Sequence, residues 1–533
     1  GAFRSVRGAR SPYESVVSRG KDIDKELPGH DISRSRCNGL ATRAAIEVLT
    51  IHQNEIRFTM KRGFFIPLFG ALTGGQAGSA WRHNMTQGRE MLLGNGVVLT
   101  LGDDNRVIQD GAVYVGNGTV ADIGKTKELK KKHANAEYLN AGGRVIMPGF
   151  ICAHHHLYST FACGISTEPS ENFVEILEHL WWKLDRALVP EDVTYSALIP
   201  LARCIRSGTT TIIDHHASPG FIRGSLDRIA DAVLESGIRA SLCYEVTDRN
   251  GEKGAREGID ENAAFLRRVK SDKSGRLHGL VGIHASMTVG PKTLGACVST
   301  AAKFGEGIHI HVAEDKADQE HCEHEYGLRV VERLKSAGAL GSRTLAVHCI
   351  HVSDGEIDIL HETDTIVIHN SQSNMNNAVG AARIIDMKKR GVTVALGTDG
   401  MTSNMCEEVR AALWLQHHEH RDPRVGFVEV AEMLIKTNAR VASRFFAKAL
   451  GCIAIGAPAD MIISDHIPFT PIRPDNVLGH IMFGVAAAPV DTTIVDGKIL
   501  MRHGELKTID WENVSRQAAK VSPATWKRFA GLR

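Results

Sequence analysis

The sequence predicts an α/β fold built around a closed barrel of parallel strands wrapped by helices. Two observations predict it. Short apolar runs alternate eight times with segments of helical periodicity across residues 148–450. Runs rich in β-branched residues and punctuated by turn residues flank this region on both sides. We therefore expect a (β/α)8 barrel of the TIM type, with a small β-sandwich built from both flanks of the barrel segment.

The eight apolar runs end in chemically reactive side chains. In chain order they are VIMPGFICAHHH, TTTIIDHH, ASLCYEV, LVGIHAS, GIHIHVAE, TLAVHC, TIVIHN and TVALGTD. Helical patterning separates them, as in residues 225–237, 327–338 and 408–420. Seven runs contain or end at a His or an Asp, and the third ends near Glu245 and Asp248. Because the catalytic groups of such barrels lie at the carboxyl ends of the strands, this clustering predicts an active site there.

The rest of the chain divides into three further parts. Residues 91–147 and 451–510 are predicted to pair into the β-sandwich, because both contain short β-rich runs separated by turns. Residues 1–90 carry fourteen Lys and Arg against eight Asp and Glu, with little periodicity, and are interpreted as a disordered or targeting extension. Residues 511–533 are left as a C-terminal segment.

Length, composition and net charge indicate a large globular protein that acts on small molecules. A chain of 533 residues with 43% hydrophobic content can bury a large core. Its net charge of +2 predicts no attraction to nucleic acid or to a membrane surface, so the expected partners are a small-molecule substrate and water. Ten cysteines without a CxxC pair indicate reduced thiols and a cytoplasmic location. An organelle is the alternative if the basic extension is a transit segment.

Three consecutive histidines end the first barrel run. Side chains alternate along a strand, so His154 and His156 are predicted to point into the barrel mouth and His155 away from it. Two imidazoles one residue apart can bind one ion together. The fifth run adds His311 and the eighth adds Asp399. Three imidazoles and one carboxylate suit zinc or ferrous iron with an open position for water, zinc being favoured.

The alternative interpretation of any single histidine at a strand end is a satisfied buried residue. The metal hypothesis therefore depends on four candidates converging from the first, fifth and eighth strands. Two other histidine clusters, QHHEH at 416–420 and HCEHEYG at 321–327, lie in charge-rich segments with helical patterning. We interpret these two as solvated helix faces.

Six motifs together resemble the amidohydrolase superfamily, in its branch of mononuclear aminohydrolases and chlorohydrolases. They are PGFICAHHHL, SGTTTIIDHH, HIHVAE, AVHCIH, HNSQSNMNNAVG and LGTDGMTSN. LWWKLDRAL followed by PEDV, together with IIDHHASP, is most similar to the SsnA group of aminohydrolases. The resemblance covers about residues 91–510. It has no counterpart for the extension before them.

The resemblance implies a role for individual residues. Its four metal ligands map to His154, His156, His311 and Asp399. The HxxE spacing maps the proton-shuttling acid to Glu314, and the AHC motif maps a histidine beside the metal ligands to His348. The sequence departs from the family at Ser371, where a proline often follows the asparagine. This departure bears on the shape of the loop after the seventh strand and not on the metal ligands.

The implied chemistry is hydrolysis by an activated water. A divalent ion with an open position lowers the pKa of a bound water from about 15.7 towards about 7. Asp399 is expected to take the water's proton, Glu314 to protonate a ring nitrogen, and His348 to stabilise the developing oxygen. The predicted reaction is deamination of a purine-, pterin- or triazine-like substrate. Hydrolysis of another C–N or C–Cl bond is the alternative, and a non-catalytic scaffold is disfavoured because every ligand and the acid are present.

A single metal ion and three substrate contacts complete the predicted site. The fourth run, LVGIHASMTVG, lacks the lysine that would bridge two ions and carries His284, which we expect to contact substrate. Trp181, with Trp182 and Phe173 nearby, is expected to face a flat ring, although packing within a helix explains these aromatics equally well. Asn374 is the third predicted substrate contact. A homodimer is an open expectation for a barrel of this kind.

Overall fold

The computed structural model describes residues 90–532, so the extension predicted for residues 1–90 lies outside the described residues except for its last one. The strands of this part are, in chain order, β1 (Met91–Leu99), β2 (Val107–Gly116), β3 (Thr119–Lys125), β4 (Glu137–Asn140), β5 (Val145–Pro148), β6 (Phe150–His155), β7 (Thr209–His216), β8 (Arg239–Tyr244), β9 (Leu277–Gly279), β10 (Val281–Ala285), β11 (Ile308–Val312), β12 (Leu345–His348), β13 (Ile366–His369), β14 (Val394–Leu396), β15 (Met461–Ser464), β16 (Val490–Val495), β17 (Lys498–Arg502) and β18 (Glu505–Leu506).

Helices lie between most of these strands. The α-helices are, in chain order, α1 (Thr126–Lys132), α2 (Phe173–Ile176), α3 (Trp182–Ala187), α4 (Pro190–Arg206), α5 (Ser225–Ser236), α6 (Gly251–Ser271), α7 (Pro291–Phe304), α8 (Lys316–Tyr326), α9 (Val330–Ser336), α10 (Asp354–Glu362), α11 (Ser371–Asn376), α12 (Ile384–Lys389), α13 (Met405–His420), α14 (Phe427–Glu432), α15 (Asn438–Phe446), α16 (Val477–Phe483) and α17 (Trp511–Gly531). A π-helical turn, Leu177–Trp181, joins α2 to α3.

Eight parallel strands carry the predicted runs. Together with a ninth short strand, β9, they form two sheets, β6-β7-β8-β9 and β10-β11-β12-β13-β14. A parallel bridge between Val246 and Ile283 links the third barrel strand to the fourth, and another between His155 and Asp399 links the first to the segment after the eighth. The strands are buried along their length, as expected for parallel strands covered by helices. The predicted α/β barrel class is confirmed.

The two flanks of the barrel segment meet in one nine-stranded sheet. Its order is β18-β17-β16-β15-β5-β1-β2-β3, and β4 also pairs with β1. The flanks join where β15 runs antiparallel to β5, with Met461 opposite Pro148 and Ile463 opposite Ile146. Ile146 and Met461 also lie in the apolar core of this sheet, together with Leu93. The residue boundaries assigned to the separate units stay a prediction.

Arg239, the first residue of β8, ties the base of the barrel to this sheet. Its guanidinium is fully buried and contacts Asp460 at 3.0 Å and Asp496 at 2.8 Å. It also donates a hydrogen bond of 2.6 Å to the carbonyl of Gly275. Asp460 immediately precedes β15 and Asp496 lies in the turn between β16 and β17, so the ion pairs join barrel and sheet directly.

The C-terminal helix α17 packs against α3 and α4 beside the barrel mouth. Thr525 donates a hydrogen bond to Asp192 at 2.7 Å, and Trp526 Nε1 donates to the carbonyl of Phe161 at 2.9 Å. Among the helices of residues 90–532, none has the length and apolar content needed to cross a bilayer. The nine cysteines within this part of the chain are all unpaired.

Candidate metal centre and substrate cavity

The three consecutive histidines end β6 and divide as alternation predicts. His154 Nε2 lies 3.7 Å from Asp399 Oδ1, and His156 Nε2 lies 3.1 Å from the same oxygen. His155 faces away, and its Nε2 lies 3.2 Å from the hydroxyl of Ser403. The structure therefore brings together the first two predicted ligands and the predicted carboxylate.

Hydrogen bonds to backbone carbonyls orient two of the imidazoles. His156 Nδ1 donates to the carbonyl of His215 at 2.6 Å, and His311 Nδ1 donates to the carbonyl of His284 at 2.7 Å. With Nδ1 carrying the proton, each neutral ring presents a lone pair at Nε2. These two Nε2 atoms lie only 3.2 Å apart. Two lone pairs at that distance repel each other unless positive charge lies between them, so the pair suits a bound cation.

Asp399 makes this cluster favourable for positive charge. Burial opposes ionisation of its carboxyl, but the contacts with His154 and His156 hold its pKa well below the usual range. Burial likewise opposes protonation of His156, yet Asp399 raises the pKa of that imidazole to about 9. His154 Nε2 is buried without a hydrogen-bond partner. Three imidazole nitrogens and one carboxylate oxygen therefore fit a divalent metal ion, as the predicted ligand set requires.

Glu314 and His348 lie beside this cluster. His348 Nε2 is 3.4 Å from Glu314 Oε2 and 3.5 Å from Asp399 Oδ2. Asn377 Nδ2 donates to Glu314 Oε1 at 3.3 Å. Burial raises the pKa of Glu314 to about 7. A carboxyl group that titrates near neutrality is suited to exchanging protons with a substrate.

Three residues at the ends of barrel strands near the site have a strained backbone. Ala313, His348 and Asp399 have φ values of 47°, 70° and 55°, in the left-handed region that side chains other than glycine rarely adopt. Backbone hydrogen bonds hold them: Ile350 N donates to the carbonyl of Ala313, and Asp399 N donates to that of His154, each at 3.1 Å. Such conformations persist where surrounding contacts fix them, and they cluster at functional sites.

Gly397 allows two of these strand ends to approach closely. A Cβ atom at this position would lie 2.5 Å from Asn370 Oδ1 and 2.7 Å from His154 Cβ. The absence of a side chain is therefore a packing requirement of the site, because His154 has no room to move aside without leaving its place near Asp399.

A cavity opens beside the cluster. Its apolar wall consists of Phe173, Leu177, Trp181, Met287 and Met401. The polar lining includes His156, His284, His311, Glu314 and Asp399. An apolar wall facing a few convergent polar groups is typical of a small-molecule site.

Two of the three predicted substrate contacts line this cavity, namely Trp181 and His284. The third, Asn374, is not among the residues that line it, and its role as a substrate contact stays a prediction. Its side chain is fully buried, and its Oδ1 accepts a hydrogen bond of 2.8 Å from His348 Nδ1. It therefore lies behind His348 and not in the cavity wall, because helix α11 begins immediately after β13 and turns Asn374 inward. Ser373 and Asn377 of the same segment face the cavity instead.

Sequence reasoning missed three further residues. His215 offers a fourth imidazole, with a ligand atom within 4.8 Å of those of His154, His156 and His311. Glu245 lines the cavity, and burial raises the pKa of its carboxyl to about 7. Asp318 also lines it. The signal for the first two was their place at the ends of the second and third predicted strands, whereas Asp318 lies in α8 and gave none.

Comparison with known proteins agrees with this geometry. A model described as the Amidohydrolase family matches residues 145–500. A 5-methylthioadenosine/S-adenosylhomocysteine deaminase of Pelotomaculum thermopropionicum is 31% identical over 81% of this chain and 97% of its own length. A 5'-deoxyadenosine deaminase of Methanosarcina mazei is 32% identical over 81% of this chain and 98% of its own length.

Solved structures share the fold. An adenosine deaminase from Xanthomonas campestris, crystallised with bound zinc, superposes with a TM-score of 0.73 at 22% identity, over 83% of this chain and 99% of that one. An atrazine chlorohydrolase from Arthrobacter aurescens, complexed with zinc, has a TM-score of 0.69 at 19% identity, over 81% of this chain and all of that one. At these identities the likeness supports the barrel with its extra sheet.

Proposed function

This chain belongs to the amidohydrolase family, and from that premise we propose that it hydrolytically deaminates a nitrogen heterocycle, with a 5'-modified adenosine as the leading candidate. The observation that carries the proposal is the buried acid Glu314, held beside His348 and Asp399 at the edge of the imidazole cluster. The relatives described as adenosine-derivative deaminases support the choice of substrate.

We propose that one divalent ion is held at this cluster, zinc in the first instance and ferrous iron as the alternative. Its ligands would be His154, His156, His311 and Asp399. When bound, such an ion supplies a water whose pKa is lowered to about 7. His215 and His284 support the ligands through the carbonyls that fix the His156 and His311 rings.

Two side chains then transfer protons, and a third binds the incoming oxygen. Asp399 takes a proton from the attacking water through its Oδ2 atom, which faces His348. Glu314, whose carboxyl is half protonated near neutrality, donates to the ring nitrogen next to the reacting carbon, so that carbon becomes more electrophilic. His348 hydrogen-bonds the incoming oxygen. Asp399 passes the proton that it took from the water to the amino group, and the C–N bond breaks with ammonia as the leaving group. The proton that remains on the incoming oxygen returns to Glu314 as the carbonyl group forms.

The test measures ammonia release from a substrate panel. The metal-loaded protein is incubated with 5'-methylthioadenosine, S-adenosylhomocysteine, 5'-deoxyadenosine, guanine, a pterin and an aminotriazine. We expect ammonia from at least one, and loss of release after chelation with recovery on adding zinc. Chloride release from a chlorotriazine without any ammonia would favour the alternative C–Cl hydrolysis. No release of either product by protein with one bound ion per chain would contradict the proposal.

The remaining expectations on partners extend this proposal. We propose a small-molecule substrate and water as the only reactants, with no role for nucleic acid or membrane, and a homodimer in solution. Light scattering coupled to size exclusion tests the dimer. A cytoplasmic location, or an organellar one, stays the expectation drawn from composition.

A further inference from the structure

Glu245 lines the cavity and has no part in the proposed proton transfers. It follows β8, the third barrel strand, and its side chain is only 2% exposed. The backbone there is fixed on both sides: Glu245 N donates to the carbonyl of His216 at 2.8 Å, and Val246 bridges to Ile283 of β10. The carboxyl group is therefore held in place by rigid strands and not by a loop.

The Oε1 atom of the Glu245 carboxyl lacks a hydrogen-bond partner within the described residues. This atom is buried and lies 3.4 Å from both His156 Nδ1 and His215 Nδ1. The His156 proton is already donated to the carbonyl of His215, and His215 Nδ1 forms no hydrogen bond with this oxygen. Burying a carboxylate oxygen without a partner is unfavourable, so the arrangement favours a donor from outside the chain.

Asp318 shows what a satisfied carboxyl in the same cavity wall looks like. Its Oδ1 accepts a hydrogen bond of 2.8 Å from Met287 N, and its Oδ2 accepts one of 2.9 Å from Ala313 N. Asp318 is thus committed to holding the loops after two barrel strands. Within residues 90–532, Glu245 accepts no such backbone hydrogen bonds, although the two side chains are buried to a similar extent.

We propose that Glu245 accepts a hydrogen bond from a donor group of the substrate that is remote from the reacting carbon. The inference rests on the proposed function and adds a substrate requirement to it: the heterocycle carries an N–H or O–H donor besides its leaving amine. Glu314, after the fifth barrel strand, would contact the side of the heterocycle that carries the reacting carbon. Glu245, after the third barrel strand, would contact a different side of the same molecule. The donor is either a second ring amine or a hydroxyl of an attached sugar, since both supply the same chemistry.

Binding of compounds that lack a leaving amine tests this requirement independently of turnover. One pair is 2-aminopurine and purine, which differ in a ring amine. The other is purine riboside and its 2',3'-dideoxy analogue, which differ in sugar hydroxyls. Calorimetry on the metal-loaded wild type is expected to show at least tenfold tighter binding of the donor-bearing member of one pair, and that pair identifies the source of the donor.

The variants are Glu245→Ala, Glu245→Gln and the matched control Asp318→Asn. We expect Glu245→Ala to abolish the preference and Glu245→Gln, which keeps an acceptor oxygen, to retain part of it. Asp318→Asn should change affinity equally for both members of a pair. The inference is overturned if wild type shows no preference in either pair, or if Glu245→Ala keeps it. Loss of bound metal from both Glu245 variants overturns it in favour of a supporting role for the metal ligands. If the preference depends on Glu245 but no amine is hydrolysed, the proposed function fails and this inference stands.

Discussion

Asp399 is the residue on which the electrostatics of the metal centre depend most. It lies within 3.7 Å of both His154 and His156 and is the acidic member of the cluster. We predict that Asp399→Asn, which keeps the shape but removes the charge, lowers kcat/KM by at least about a thousandfold and reduces bound metal below one ion per chain. Steady-state kinetics and elemental analysis measure the two effects. His155→Gln, at the neighbouring position that faces Ser403, should keep its metal; equal metal content in wild type and Asp399→Asn would contradict the ligand role.

Asn374 separates a positioning role from a substrate contact. Because its Oδ1 accepts the proton of His348 Nδ1, we predict that Asn374→Ala lowers kcat by about tenfold to a hundredfold while KM changes little. Removing the acceptor leaves the imidazole free to rotate and to change tautomer. Steady-state kinetics across pH 6 to 9 is the measurement, since a displaced His348 also alters the pH profile. A large rise in KM at constant kcat would instead restore the substrate contact expected from sequence.

At the scale of the residue, the sequence predicted where a side chain points when strand alternation sets its direction. His154, His156 and Asp399 meet because they lie at strand ends, and the end of a strand can be read from its apolar run. The positions of the Asn374 and Glu245 side chains were harder to predict, because they depend on the path of the chain after the strand. Helix α11 turns Asn374 behind His348, and nothing in its immediate neighbours in the sequence indicates that turn.

At the scale of the element, the packing of β14 against the first barrel strand requires a glycine at position 397. We predict that Gly397→Ala destabilises the protein by about 1 to 3 kcal/mol, as overpacking of a rigid core does, and weakens metal binding because His154 is displaced. Thermal unfolding with and without chelator separates the two effects. Gly295→Ala is the matched control, since a Cβ atom there meets nothing within 4 Å in the middle of α7. It should be neutral or stabilising by up to about 1 kcal/mol. Equal behaviour of the two variants would refute the packing argument.

The hydrophobic pattern predicted where the strands and helices lie, but it did not always predict the residues at which they begin and end. The eight predicted apolar runs each contain one barrel strand. The helix predicted over residues 327–338 begins later, at Val330, because Gly327 adopts a left-handed conformation that ends α8. The sequence shows Gly327, but it does not show whether this glycine ends α8 or lies inside the following helix. That depends on where α8 ends.

At the scale of the whole molecule, the ion pairs of Arg239 connect the barrel to the nine-stranded sheet. We predict that Arg239→Ala lowers the free energy of unfolding by about 3 to 5 kcal/mol, because it leaves the buried Asp460 carboxylate without its partner. Chemical denaturation measures it. Arg268→Ala removes a pair of contacts with Asp227 and Asp231 on the surface and should change stability by no more than about 1 kcal/mol. Comparable losses would show that Arg239 does not join the two parts.

The pairing of the two flanks could be predicted from their shared β-rich texture, and the structure joins them through β5 and β15. Arg239 was not predicted. A basic residue at the start of an apolar run looks like the exposed end of a strand. Its burial becomes visible only when the sheet, contributed by residues more than two hundred positions away, closes over it.

The bridge between His155 and Asp399 has a consequence for biosynthesis. The first barrel strand and the segment after the last one supply neighbouring residues of the proposed metal site, so a nascent chain on the ribosome holds only part of the cluster until Asp399 has emerged from the exit tunnel. We therefore expect ion capture to follow translation of the whole barrel. Truncated products that stop before this point carry the histidines without the acidic partner that retains a cation among them.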